Sequence, residues 1–343
     1  GMMDAPKPVN WRMFAIVGLI DMAVGLGLVG AGLAGSTAAR ALARQGVTVK
    51  VVEAGNIAGA ASGNLAGVLY TTPSAHPTAQ NRFYQSSYLH ALHWLQRESF
   101  PAQPSHGALL GVLQYAKDAR LADKASRALE SGLWPPEELQ PLDQPGAMRF
   151  VRGGYLSPAH WCRHLLDHPL ISIDHQHVER LHYDNGRWQL WSAGELIGTA
   201  DHVLLANSFD AQRLAPVTGL RLKKIRGQVS YVRATDASRQ WQQAICHAGY
   251  LTPAIDGLHC VGATFDLHDH SAAEKDEDDH DTGSAWNRLK LSISAPFYEG
   301  DHGKVVGSLN SQFGDGDYMR TWYGVSTGQA ARSQFRAYDA HGG

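Results

Sequence analysis

The chain has 343 residues, is 44% hydrophobic and 18% charged, and sets 30 Lys+Arg against 32 Asp+Glu for a formal net charge of −2. This is ordinary globular composition, with material for one large core or two smaller ones, and it excludes a global basic field that would draw the whole surface to nucleic acid. The three cysteines, Cys162, Cys246 and Cys260, form no C-x-x-C pair, which argues against a zinc ribbon or a disulfide scaffold and fits a reducing cytoplasm.

Residues 1–22 form an unplaced lead. The run 13–34 is nearly all apolar and long enough to suggest a membrane span. Asp21, the many glycines and the direct passage into a glycine motif argue instead for a lead-in and a first strand. No secretory signal pattern is evident. The motif is Gly30-Ala31-Gly32-Leu33-Ala34-Gly35, a G-x-G-x-x-G between an apolar run and an Ala-rich helix pattern over 36–44. After a stop at Gly46 comes Val49-Lys50-Val51-Val52-Glu53, a buried-strand pattern ending in an acid. Together they predict a β-α-β dinucleotide-binding unit. In it Gly30 permits the turn, Gly32 lets backbone approach a pyrophosphate, and Gly35 lets helix and strand pack. The helix N-terminus favours the phosphates, and Glu53 can accept hydrogen bonds from a ribose diol.

The Gly/Ala/Ser/Asn-rich stretch 57–72 predicts a loop with closely approached backbone. A helix is expected over 82–98, with Phe83, Tyr88, Leu89, Leu92 and Leu95 on its buried side. A strand over 111–115, a helix over 118–131 closing near Gly132, and a loop over 135–144 follow. Residues 153–158 lead into a helix over 159–166. Strands around Asp184-Asn185-Gly186 predict a hairpin, and 201–208 reads as a buried strand ending in small polar residues. Further strands are expected over 224–233 and 249–265, the latter a hairpin about Asp256-Gly257. Cys246 and Cys260 lie in strand-like segments and read as small buried hydrophobes. The Asp/His-rich run 265–283, with His268, Asp269, His270, Asp278, His280 and Asp281, mimics a metal site but lacks ligand spacing, so a solvated loop is expected and no metal.

Several pieces resemble a known family. They are Val29-Gly30-Ala31-Gly32-Leu33-Ala34-Gly35, Ala60-Ala61-Ser62-Gly63-Asn64-Leu65-Ala66-Gly67-Val68-Leu69-Tyr70, and Gly154-Tyr155-Leu156-Ser157-Pro158. Later come Leu205-Ala206-Asn207, Ile225-Arg226-Gly227-Gln228-Val229-Ser230, Gly249-Tyr250-Leu251-Thr252-Pro253-Ala254 and His259-Cys260-Val261-Gly262-Ala263-Thr264-Phe265. In order and spacing, from about residue 24 to about 278, they resemble the FAD-dependent oxidoreductase module of the bifunctional tRNA 5-methylaminomethyl-2-thiouridine biosynthesis proteins (MnmC), within the D-amino-acid/glycine oxidase-like flavoproteins. The resemblance implies FAD as cofactor. It implies that Gly30, Gly32, Leu33, Ala34, Gly35, Glu53 and Ala54 hold the ADP half. Ala61, Ser62, Gly63, Asn64, Ala66 and Gly67 would lie along the pyrophosphate and flavin. Ala206 and Asn207 would close the cofactor site, and Arg226, Gly227 and Gln228 would begin a strand near the flavin face. Tyr250 would be the substrate-positioning residue; a half-buried strand aromatic is the plainer reading of it.

The implied reaction is oxidative removal of the carboxymethyl group from 5-carboxymethylaminomethyl(-2-thio)uridine at the tRNA wobble position. It would give the 5-aminomethyl nucleoside and glyoxylate, in the cytoplasm. A methyltransferase acting on that product is expected to be a separate protein, and no membrane partner is expected. The densest basic cluster, Arg221, Lys223, Lys224 and Arg226, would serve as a tRNA contact or simply as a solvated strand face. The expected fold is α/β: a Rossmann-like three-layer FAD domain from 23–80 and 150–220, with an inserted antiparallel-sheet substrate domain from 81–149 and 221–281. The pattern fades over 282–343, a segment expected to complete the FAD domain, and the substrate-carboxylate arginine finds no match there. Two alternatives stay open: a flavin oxidase of a small amine or amino acid, and a degenerate relative without catalysis.

Overall fold

The computed structural model describes residues 26–100, 103, 105–214, 226–236, 238–263 and 318–325, and for 226 and 318–325 the backbone alone. The lead 1–22, most of the apolar run 13–34, Arg221, Lys223, Lys224, the Asp/His run 265–283 and most of 282–343 lie outside the described residues. The chain divides into two compact units, one from 1–57 with 162–220 and the other from 58–161 with 221–343.

The first unit is built on a four-stranded parallel sheet. Its order is His202–Leu205, Leu26–Val29, Val49–Val52, Ile171–Asp174. Alternating side chains supply both of its faces, as a sheet buried on two sides demands. Leu28, Val49 and Val51 join Ala31, Ala39 and Leu166 in one apolar cluster, under helix Leu33–Ala43. Val29 and Val52 join Leu190, Ala200 and Leu214 in another. That second layer comes from an antiparallel meander, Arg180–Asp184, Arg187–Ser192 and Glu195–Ala200. The fold is thus α/β in three layers, with helix, parallel sheet and meander. The hairpin expected at Asp184-Asn185-Gly186 is present, with Asp184 opposite Arg187. The strands Ile171–Asp174 and Glu195–Ala200 were not expected; a tight turn at Ala193-Gly194, with Gly194 at φ +81°, leads into the second. The strand predicted over 201–208 is an edge strand among the described residues, so Leu204 is exposed rather than buried.

The second unit holds an eight-stranded sheet. Its order is Tyr318–Val325, Arg226–Arg233, Leu258–Gly262, Tyr250–Leu251, Ala244–Cys246, Val112–Gln114, Met148–Phe150, Leu139–Pro141. All pairs are antiparallel except Ala244–Cys246 with Val112–Gln114. The strand pairing sets Cys246 opposite Tyr250, Tyr250 opposite Gly262, and Cys260 opposite Tyr231. Period-two alternation then brings Val112, Phe150, Tyr231, Cys246 and Cys260 onto one face, where they form the unit's main core with Tyr88 and Leu92. The loop expected over 135–144 contains a strand. Pro141, which has no N–H to donate, is tolerated because that strand is the sheet edge.

Helix Ala79–Arg97 starts three residues before the predicted position because Thr78 Oγ1 caps it, accepting the Asn81 N–H at 3.2 Å. Its buried seam is Tyr88, Leu92 and Leu95, at i, i+4 and i+7. Phe83 was expected on that seam but is 67% exposed. At 100° per residue it points about 140° away from Tyr88. Helix Ala119–Glu130 follows its prediction closely, with Asp118 as N-cap accepting the Leu121 N–H.

One buried polar group ties the far face of the large sheet. His259 is fully buried, its Nδ1 2.8 Å from the Thr252 carbonyl oxygen and its Nε2 2.8 Å from Ser238 Oγ. A carbonyl only accepts, so Nδ1 carries the proton and the neutral ring accepts from Ser238. Burial, and to a lesser degree the neighbouring Arg239 charge, hold the ring below its ordinary 6.5, while the Thr252 contact opposes the shift. The unfolded chain therefore binds the proton more readily. This contribution to stability is complete above about pH 6.5 and is lost as pH falls from there through the lower folded value. The melting temperature should drop on acidification through that window. His259→Asn should melt lower at pH 8, by the equivalent of about 1–3 kcal/mol for the partners left unpaired, and should flatten the acid limb. Thermal melts from pH 8 to pH 5 read both.

Candidate functional site

In the first unit the glycine loop is pinned by close backbone contacts. Gly30 has φ of +106°, and a Cβ there would stand 2.7 Å from the Ala206 carbonyl oxygen. A Cβ on Gly35 would stand 1.9 Å from the Gly30 carbonyl oxygen. Two backbone hydrogen bonds fix the turn between its neighbours: Gly30 N–H donates to Val52 O at 2.9 Å, and Ala206 N–H donates to Val29 O at 2.8 Å. Gly32 is the N-cap of helix Leu33–Ala43, and no side chain caps it. Leu33 and Ala34 are exposed in the first turn. The first-turn N–H dipoles therefore point outward from an open end, as an anion site requires.

Glu53 leaves the C-terminal end of its strand and turns its carboxylate to this loop. Oε2 accepts the Ala31 N–H at 2.7 Å and Oε1 accepts the Gly55 N–H at 2.9 Å. Each oxygen keeps a further lone pair for a hydroxyl donor. Asn207, at the end of the neighbouring strand, has a buried Oδ1 with no hydrogen-bond partner among the described residues. Gly30, Gly32, Gly35, Glu53, Ala206 and Asn207, distant in sequence, are thus gathered at one end of the parallel sheet, where nucleotide sites of open α/β sheets lie. Cys162 is not part of any reactive arrangement here: burial pushes its thiol up to about 11.

The second unit gathers the remaining motif pieces. Gly67–Leu69 pairs antiparallel with Gly154–Leu156. The preceding loop turns with Gly63 N–H donating to Ala60 O at 2.8 Å, and the Leu65 N–H donates to the Tyr231 hydroxyl at 2.9 Å. Ala66 is fully buried, with its backbone beside Cys260. Asn64 has a buried Oδ1 without a hydrogen-bond partner among the described residues, and Gln228 is fully buried in strand Arg226–Arg233. The orphaned Asn64 acceptor in this close-packed loop fits a ligand donor. The side chain of Arg226 lies outside the described residues.

Tyr250 faces the same core. Its hydroxyl lies 3.7 Å from Cys260 Sγ. Burial, reinforced by the Cys260 neighbour, raises its hydroxyl well above the ordinary tyrosine range, so Tyr250 is a neutral O–H donor at physiological pH. Burial likewise pushes the Cys246 and Cys260 thiols up to about 12 each. Both stay protonated, as expected of small buried hydrophobes. The Tyr231 contact to the loop was not read from the sequence; the signal was its position opposite Cys260, visible only once strands are paired. Among the described residues, no group of three or more His, Cys, Asp or Glu side chains is placed to hold a metal, and no helix is long and apolar enough to cross a membrane.

A family described as FAD dependent oxidoreductase (DAO) matches residues 28–326. The bifunctional protein MnmC of Pseudomonas putida KT2440, named for tRNA 5-methylaminomethyl-2-thiouridine biosynthesis, is 36% identical over 258 residues, 72% of this chain and 39% of that protein. The protein of the same name from Chromobacterium violaceum is 37% identical over 255 residues, 69% of this chain and 38% of that one. The chain thus spans about 39% of the length of such curated relatives. Among solved structures, glycine oxidase from Geobacillus kaustophilus shares the fold with a TM-score of 0.65 at 18% identity, over 91% of this chain and 84% of that one. The family match spans both units, including the strand Tyr318–Val325 beyond the point where the sequence pieces fade. The chain belongs to the FAD dependent oxidoreductase family, and its cofactor is FAD.

Proposed function

We propose that the protein removes the carboxymethyl group from 5-carboxymethylaminomethyl(-2-thio)uridine at the tRNA wobble position, giving the 5-aminomethyl nucleoside and glyoxylate. The observation that carries this reading is the 36% identity to the Pseudomonas putida tRNA-biosynthesis protein over 72% of the chain, twice the 18% shared with a small-amine oxidase of the same fold. The reaction would run in the cytoplasm, where tRNA is, and a methyltransferase would take the product further.

In this reading Gly30, Gly32, Leu33, Ala34, Gly35, Glu53 and Ala54 hold the ADP half, with Ala206 and Asn207 closing that end. Ala61, Ser62, Gly63, Asn64, Ala66 and Gly67 follow the pyrophosphate and flavin, and Arg226, Gly227 and Gln228 begin the strand near the flavin face. The FAD domain takes 23–80 and 150–220, and the substrate domain takes 81–149 and 221–281. Bound FAD supplies the two-electron acceptor that turns a carboxymethylamine CH2–NH into an imine, which water splits into the primary amine and glyoxylate. The protein's own work is placement. The neutral Tyr250 hydroxyl donates a hydrogen bond without adding charge, so it orients an anionic carboxylate. Its fixed protonation keeps that role constant across neutral pH.

The direct test is glyoxylate release from tRNA bearing the carboxymethylaminomethyl group, with FAD-loaded protein. Release from this tRNA and not from free glycine supports the proposal. The shared fold with glycine oxidase favours the second reading, a small-amine oxidase, and turnover of glycine with no action on the tRNA would establish it. Gly35→Ala should lose bound flavin, seen in the visible spectrum, because its methyl meets the Gly30 carbonyl; overpacking of this kind costs about 1–3 kcal/mol. Tyr250→Phe should keep its flavin spectrum and raise KM about tenfold, the size of one lost hydrogen bond to a charged group.

A further inference from the structure

No acid occurs between Glu53 and Glu98, a span where the chain average of 32 acids in 343 residues would put about four. The second half of that span is helix Ala79–Arg97, whose basic side chains are Arg82, His90, His93 and Arg97. Its seam of Tyr88, Leu92 and Leu95 is buried. The opposite side carries Phe83, His90, Trp94 and Arg97, at i, i+7, i+11 and i+14, which fall within a narrow stripe at 100° per residue. The stripe carries rings at both ends of the helix, with Ser86 and Ser87 between them and with Trp94 half-buried. The His90 ring stacks on Trp94 at 6.3 Å with 16° between planes, and the Arg97 guanidinium lies 5.8 Å over the Trp94 ring. At the other end Phe83 is 67% exposed and Tyr84, its neighbour at 6.2 Å, is 41% exposed. Arg82 is also exposed, with its guanidinium donating to the Pro77 carbonyl. Glu98, the acid at the C-cap, is 3% exposed and so makes no surface contact with a partner.

A single exposed phenylalanine needs no account. Exposed rings with a cation on their stripe and another beside it, on a face with no acid, have the chemistry of a stacking surface for unpaired bases with nearby phosphate contacts. From Phe83 to Arg97 it runs about 21 Å at 1.5 Å per residue, room for roughly six stacked nucleotides at 3.4 Å each. We infer that this outer stripe of helix Ala79–Arg97 is a contact surface for single-stranded RNA, engaged by the anticodon arm of the substrate; the inference rests on the tRNA reading above. It differs from the Arg221–Arg226 cluster that the sequence offered for the same role.

The test uses the full FAD-loaded chain and an unmodified stem-loop RNA of the anticodon arm, by fluorescence anisotropy over a salt series. Phe83→Ala should weaken binding about tenfold. The double change Arg82→Gln, Arg97→Gln should flatten the slope of log K against log salt by about 1.4. The same preparations should oxidise the free carboxymethylaminomethyl nucleoside at the wild-type rate. Wild-type affinity and slope in all variants, or no RNA binding by the wild type, overturns the inference. So does a loss of binding that light scattering traces to a broken dimer, since the stripe would then be an interface between copies. If the stripe variants lose RNA but the wild type oxidises neither nucleoside nor tRNA, the surface stands and the proposed reaction falls. If tRNA is oxidised with unchanged KM in the variants, the reaction stands and the surface falls.

Discussion

The first unit depends on a backbone-to-backbone contact that leaves no room for a side chain. The Gly30 carbonyl sits where a Gly35 Cβ would be, and Gly30 itself lies against Ala206. This closeness lets the first strand turn directly into helix Leu33–Ala43 and brings the helix N-terminus, the Glu53 carboxylate and the end of strand His202–Leu205 to one place. With any side chain at either glycine the strand end and helix start must separate. The donor array at the helix N-terminus and the carboxylate that accepts from Ala31 would then no longer share a site.

The second unit solves a different problem. Its sheet presents one continuous apolar face, and the loop before Gly67 is stitched onto that face by polar atoms of the sheet itself. The Tyr231 hydroxyl accepts from the Leu65 N–H, and Ala66 packs beside Cys260. Burial keeps the tyrosine and thiol groups of this region protonated, so it is rich in neutral hydrogen-bonding groups and carries no buried thiolate. Such an environment favours the neutral form of an amine, the form able to give up a hydride.

Much of this was legible in the residues. Periodicity and punctuation marked helix Ala119–Glu130 through Asp118 and Gly132, the hairpin at Asn185-Gly186, and the β-α-β unit through its glycines and Glu53. Misreadings came where local pattern and tertiary context part. Phe83 looked like core because it is aromatic, yet its angle on the helix faces it outward. Leu139–Pro141 looked like a loop because proline punctuates loops, yet an edge strand tolerates proline. Ile171–Asp174 is a short strand whose partner Val49–Val52 is distant in sequence, so no local signal marked it, whereas Glu195–Ala200 follows its partner across the Ala193-Gly194 turn, which went unread.

What the sequence determined by itself is the cofactor class and the strand–glycine loop–helix geometry. Spacing in the glycine motif encodes a steric requirement that holds whatever surrounds it, and the distance to Glu53 is set by one helix and one strand. What only the tertiary structure decided is which distant residues share a face. Tyr250 beside Cys260, Tyr231 beneath Leu65, and the outward stripe Phe83, His90, Trp94 and Arg97 arise from strand pairing and from the side of a helix that the core happens to claim. Those are long-range choices made by burial, and burial is a property of the whole packed unit, not of any local run of residues.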